Sequence, residues 1–219
     1  IAVEFAGILN GLGVETHLIY RGNQLLKSFD RDCCAKVTEG MIKKGVKVTL
    51  DTNVSSITKC QQQLNINLDS GSSITVDMVL YATGRQANTE GLGLENTKVT
   101  LNDRKAIMVD ENYCTSEPSI YAIGDVIDQV QLTPVAIKQA MALINHLYQD
   151  SKTKVDYTNI PTAVFSQPEL ATVGLTEVQA KQQYTDIAVY RSDFKPMFDT
   201  LGQGSDRIFM KMIVNKTND

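Results

Sequence analysis

Arg21 follows directly on a strand-like run, residues 14–20, and Lys27 comes shortly after it. In a dinucleotide-binding fold that place usually holds Asp or Glu, which binds the adenosine ribose 2′-OH of NAD. A cation there suits the 2′-phosphate of NADP instead, with Lys27 as a second positive charge. Both residues also read as ordinary solvated surface cations. A second candidate is Ala122-Ile123-Gly124-Asp125, an apolar run ending in a carboxylate. Ligands of open α/β sheets bind beyond the carboxyl ends of the strands. Thr133-Pro134 then opens a helix, with threonine suited to the N-cap and proline to the first turn. A helix start offers free N–H groups and a partial positive charge. A carboxylate for sugar-like hydroxyls beside that charge suits a flavin, with the ribityl chain on Asp125 and a pyrimidine oxygen over the helix start. The alternative is a plain strand, turn and capped helix, and the residues alone leave the two open.

The other residues able to do chemistry point nowhere specific. Cys33, Cys34, Cys60 and Cys114 make no C-x-x-C and no zinc spacing. They read as reduced cysteines of an intracellular protein, and no metal site is expected. His17 within a strand and His146 on a helix read as packing or surface residues. The net charge of −4 argues against nucleic acid or an anionic membrane as partner, since both need a basic footprint. No apolar run approaches the roughly 18 residues of a membrane helix. With 42% hydrophobic and 21% charged residues, the chain can bury a core rather than stay disordered.

The elements that must position these residues follow from periodicity. Residues 1–10 are helical, with Gly11 and Gly13 at the end. Residues 14–20 form a strand, 30–44 a helix that stops at Gly45, and 46–50 another strand. Helix, strand, helix and strand in succession indicate βαβ units on a parallel sheet. Residues 54–59, 63–68 and 74–82 then form an antiparallel meander, and Met78-Val79-Leu80-Tyr81-Ala82 is expected as its buried last strand. Residues 86–118 are polar and turn-rich, 119–123 a short buried strand, and 133–148 a helix. A separate α+β style begins after Tyr157: strands at 162–165 and 170–175, a helix at 176–184 and strands at 187–191 and 207–214. Thr176 and Gln179 can form a capping box. Both ends of the chain read as interruptions, so it is expected to be an internal piece of a longer protein.

Three motifs carry a resemblance. Tyr81-Ala82-Thr83-Gly84-Arg85 with Asn88, then Ile120-Tyr121-Ala122-Ile123-Gly124-Asp125, then Leu132-Thr133-Pro134-Val135-Ala136 resemble the A-[TI]-G-R-x-x-N, Y-A-x-G-D and L-T-P-V-A motifs of the glutathione reductase family. Residues 160–166 and 172–177 are similar to the opening of that family's dimerisation domain. The resemblance runs over nearly the whole chain in the right order. It implies an α/β protein with parts of doubly wound, three-layer domains for NADPH and FAD. Residues 1–87 would be the C-terminal part of the NADPH domain and 88–157 the second segment of the FAD domain. Residues 158–219 would begin the α+β dimerisation domain.

The resemblance also implies roles. The enzymes are FAD-containing homodimers that pass a hydride from NADPH to FAD, then electrons to a redox disulfide and on to glutathione disulfide or a similar small disulfide. Ile1 and Glu4 would lie beside the nicotinamide, with Glu4 paired to a lysine near the flavin. Arg21 and Lys27 would hold the 2′-phosphate, Lys27 keeping the charge of the usual arginine but losing its bidentate fork. Gly84 would let the chain pass close to NADPH, with Gln131 and Ala163 lining the same side. Asp125 and Thr133 would contact FAD. Met141 stands where glutathione reductases carry an arginine for a substrate carboxylate, and an apolar side chain cannot neutralise that charge. No catalytic residue is expected within this chain: the redox cysteines and the histidine base would lie outside it, and the isolated chain is expected to be inactive. A cytoplasmic location is implied. Trypanothione, glutathione-amide and mercuric reductases remain alternatives, as does a nucleotide-binding module without redox function.

Overall fold

The computed structural model describes residues 1–149, 154–202, 204 and 206–217. Two compact units emerge, one of Ile1–Ala82 with Pro161–Asp219 and the other of Thr83–Ile160.

The first unit begins with helix α1 (Ala2–Gly11), whose buried face is Val3, Ala6 and Gly7. Strands β1 (His17–Ile19) and β2 (Lys47–Thr49) pair in parallel, with Leu18 opposite Val48. Helix α2 (Arg31–Lys43) makes the crossover between them. Its N-cap, Asp30, accepts the Asp32 N–H at 3.0 Å, and it buries Cys34, Val37 and Met41 at helical spacing. The chain leaves α2 through Gly45 at φ +104°, the left-handed region that favours glycine. Val3, Ala6, Leu18, Val37, Met41 and Val46 close one core, to which Val164 and Leu170 of the C-terminal segment also belong.

Strands β3 (Val54–Cys60), β4 (Gln63–Leu68) and β5 (Ser73–Val76) form the expected antiparallel meander. The expected buried strand at 78–82 is not formed. β5 ends at Val76, and Met78 and Tyr81 are 84% and 66% exposed. A buried strand needs neighbours for its N–H and C=O groups, and among the described residues none pairs with this segment.

The C-terminal segment pairs β6 (Thr162–Val164) with β7 (Leu170–Thr172) and β8 (Ile187–Phe194) with β9 (Ile208–Asn215), both antiparallel. Between them, α4 (Glu177–Gln183) starts with the full Thr176–Gln179 capping box. The short helix α5 (Met197–Thr200) lies in the β8–β9 connection. Gly40 of α2 faces the turn after β6: a Cβ there would lie 2.4 Å from Pro168 Cδ, so only glycine permits this approach.

The second unit is mostly irregular chain around helix α3 (Thr133–Tyr148). Its core is Ile107, Tyr113, Ala122, Ile127 and Ala142. The strand expected at 119–123 is reduced to one bridge, Cys114 to Tyr121, flanked by the Ala122 N–H donating to Tyr113 C=O at 3.0 Å. A single facing segment, no longer than a turn, supplies its only ladder bonds among the described residues.

Candidate functional site

Asp125 sits in a 3-10 turn, Gly124–Ile127, immediately after the Ala122 segment. Gly124 has φ +75°, and a Cβ on it would lie 3.3 Å from Ala136 Cβ of α3. Conformation and space both select glycine there. The Gly124 N–H donates to Gln139 Oε1 at 2.6 Å. Gln139 is fully buried, and its Nε2 donates to Tyr157 Oη at 3.0 Å. The Tyr157 and Tyr113 hydroxyls are 3.0 Å apart. Burial, then the hydrogen bond to Tyr157, hold the Tyr113 phenol well above its usual pKa. The Asp125 carboxylate remains half exposed, 3.4 Å from Arg85 Nη2.

Thr133 is not the N-cap. Leu132 holds that place in extended conformation and supplies no side-chain acceptor, so Thr133 and Pro134 form the first turn. The Val135 and Ala136 N–H groups donate to Leu132 C=O at 3.0 and 3.1 Å, while the Thr133 N–H meets no acceptor among the described residues. The helix start is therefore open to an outside acceptor, which a capped start would not be. Gln131 is tied locally, donating to Asp128 Oδ1 at 2.8 Å, and Arg104 pairs with the other Asp128 oxygen at 2.8 Å. Gly84 is exposed, and a Cβ on it would meet nothing within 4 Å, so nothing in the protein itself demands glycine there. Met141 is 54% exposed on α3, with Ile137 and Ile144 exposed beside it.

In the first unit, Arg21 and Lys27 are exposed beyond β1. Neither has an ion-pair partner among the described residues. Glu4 accepts the Phe165 N–H at 3.1 Å, which brings α1 to the end of the strand that carries Ala163. A cavity of about 970 Å³ opens between α2, β7 and β9, and of the expected site residues it takes in Ala163 alone. His17 Nε2 lies 3.7 Å from Glu15, and His146 is exposed. The four cysteines are free, and burial pushes the Cys34 thiol up to about 11. Among the described residues no group of His, Cys, Asp and Glu is placed to hold a metal ion, and no helix is long and apolar enough to cross a membrane.

Two polar clusters escaped the sequence reading. One is the Gln139 chain just described. The other surrounds Lys211, whose side chain is 4% exposed and whose ammonium lies 2.7 to 2.8 Å from Asp30, Asp32 and Glu177. Arg191 adds bonds to Asp32 and Glu177. Each had a faint signal. Gln139 falls in register with Val135 and Ala142 on the buried face of α3, and Lys211 shares one face of β9 with Phe209 and Ile213, between the exposed Met210 and Met212.

A Gly-Asp turn held against an open helix start in one unit, and a βαβ unit with cations beyond its first strand in the other, are features of nucleotide-binding proteins. The chain matches the pyridine nucleotide-disulphide oxidoreductase family over residues 1–140 and the dimerisation domain of the same proteins over residues 160–219. It belongs to that family. It is 40% identical over 219 residues to the glutathione reductase of Burkholderia cepacia, covering 100% of this chain and 49% of the relative. It is 44% identical over 216 residues to the chloroplastic/mitochondrial glutathione reductase of Pisum sativum, covering 98% of this chain and 39% of that one. The trypanothione reductase of Trypanosoma congolense is 35% identical over 223 residues, with 100% and 45% covered. Among solved structures, the HOCl-induced flavoprotein disulfide reductase RclA of Escherichia coli superposes with a TM-score of 0.90 at 28% identity, over 98% of this chain and 49% of that one. The chain thus spans about half the length of the relatives it matches.

Proposed function

We propose that this chain is part of an NADPH-dependent FAD flavoenzyme that reduces glutathione disulfide and so maintains cellular thiol balance. The observation that carries the reading is the Asp125 turn at the open start of α3, within a chain similar to glutathione reductases along its whole length. The residues fit the two cofactors. Asp125 offers a half-exposed carboxylate to ribityl hydroxyls, and the Thr133 N–H offers an unused donor to a pyrimidine oxygen. Arg21 and Lys27, without an ion-pair partner among the described residues, offer cations to a 2′-phosphate, with Ile1, Glu4, Gly84, Gln131 and Ala163 assigned to the nicotinamide side. When bound, the flavin supplies a two-electron relay between NADPH and a disulfide. The chain's own residues bind and orient. Helix α3 holds the acid in place and presents donors, and the cations select the phosphorylated dinucleotide.

The division into residues 1–87, 88–157 and 158–219 belongs to this reading, as do a homodimer and a cytoplasmic location. The redox cysteines and proton-transferring base are assigned to parts of the enzyme beyond this chain. The isolated chain should therefore oxidise no NADPH with glutathione disulfide above a buffer blank.

Met141 favours a second reading of the substrate. An exposed thioether cannot pair with a carboxylate, and a trypanothione reductase stands among the relatives. Steady-state kinetics of the full-length enzyme against glutathione, glutathione-amide and trypanothione disulfides, with NADPH and NADH compared, decide both points. Glutathione disulfide with NADPH should give the highest kcat/KM. Preference for another disulfide moves the substrate, and preference for NADH removes the role of Arg21. A hydrogen bond to a charged group is worth about 1.5–3 kcal/mol, so Arg21→Ala should raise the KM for NADPH at least roughly tenfold.

A further inference from the structure

We infer that Gln139 is a positioning residue for the flavin-binding turn at Asp125. The inference rests on the reading of that turn given above. Gln139 is the one polar residue among the three buried positions of α3, the others being Val135 and Ala142. Burying an amide is costly unless both of its ends are satisfied. Here Oε1 takes the Gly124 N–H at 2.6 Å and Nε2 reaches Tyr157 Oη at 3.0 Å. Tyr157 is joined in turn to Tyr113 at 3.0 Å. Tyr113 C=O accepts the Ala122 N–H at 3.0 Å. Both residues flanking Ile123 are thus pinned by one hydrogen-bonded chain, immediately before Asp125. Gly124 itself has a left-handed backbone, and a Cβ on it would lie 3.3 Å from Ala136 Cβ. One helix therefore presents its open N-terminus and, two turns on, fixes the acid that must work beside it. Among the described residues the Asp125 carboxylate is restrained only by an exposed ion pair with Arg85, which is too weak to set its direction.

The test uses the full-length protein stripped of flavin. FAD affinity is read from flavin fluorescence quenching, and folding of the apoprotein from circular dichroism and thermal melting. Gln139→Leu should leave a folded apoprotein that binds FAD roughly tenfold more weakly, the effect of one lost buried hydrogen bond. Gln139→Glu should restore most of the affinity, because its carboxylate still accepts the Gly124 N–H and Tyr157 can turn its hydroxyl to donate. A folded Gln139→Leu apoprotein with unchanged affinity overturns the inference, provided Asp125→Asn binds FAD more weakly. A Gln139→Glu apoprotein that binds as poorly as Gln139→Leu also overturns it. If Asp125→Asn itself keeps full affinity, the flavin reading of the turn fails instead. Should Gln139→Leu not fold, Tyr157→Phe removes the amide's outer partner alone: several-fold weaker binding supports the inference, and unchanged binding sinks it.

Discussion

Lys211 in the first unit and Gln139 in the second are both enclosed polar side chains, satisfied by opposite means. Lys211 gathers three carboxylates, Asp30 and Asp32 at the start of α2 and Glu177 at the start of α4. Gln139 is neutral, and its partners are a backbone N–H and a phenol. Burial alone would lower the Lys211 pKa, but hydrogen bonds to Asp30, Asp32 and Glu177 outweigh it and hold the pKa above its usual value. The charged knot joins segments far apart in sequence, whereas the neutral chain shapes a turn a few residues long. Charge gives strength that depends on pH and on every partner being present. A neutral amide gives direction with little dependence on pH.

The sharpest way to break this contrast is Lys211→Met, which keeps the volume and removes the charge. Three carboxylates would then share one site, with Arg191 left to compensate Asp32 and Glu177, and Lys181 to compensate Glu177. Removing one partner of a buried ion pair costs about 3–5 kcal/mol. Because Asp32 and Glu177 keep some exposure, a loss of about 3 kcal/mol is expected in urea unfolding, and a loss under 1 kcal/mol would mean water already screens the cluster.

Acid should reveal the same difference. Lys181 first, then Lys211, hold the Glu177 carboxyl down to about 2 from its usual 4.5. A carboxylate with a depressed folded pKa stabilises the protein above the unfolded pKa, and that stability is lost as pH falls toward the folded value. Urea midpoints should therefore drop between pH 4.5 and 2, and Glu177→Gln should flatten part of that slope. Gln139→Leu should leave the slope as it was.

Two glycines sharpen the comparison within the second unit. Gly124→Ala meets a left-handed φ and Ala136, and should lose about 1.5 kcal/mol on denaturation. Gly84→Ala meets nothing, and should change stability by less than about 0.5 kcal/mol. If Gly84 nevertheless lies against NADPH, the same substitution raises the KM for NADPH in the full-length enzyme. An unchanged KM removes Gly84 from the site.

Much of the fold was legible because its signals are local. The helical spacing of Cys34, Val37 and Met41, the glycine after α2 and the Thr176–Gln179 box each act within a few residues. The helix at 133–148 was legible for the same reason, but its cap was not. Threonine caps only if its backbone is extended, and here Leu132 takes that conformation instead. The strands at 78–82 and 119–123 misled because apolar, β-branched runs promise burial without naming a partner, and strands exist only when paired.

The sequence by itself determined the class of protein. Motif order, a Gly-Asp turn ahead of a Thr-Pro helix start and a cation beyond the first strand are written in short segments. The tertiary structure decided what supports them. It alone showed that Gly124 is hemmed in by Ala136, that Gln139 holds its N–H, and that Lys211 draws Asp30, Asp32 and Glu177 together. These partners are distant in sequence, and residue type carries no record of which distant group will satisfy a buried donor or charge.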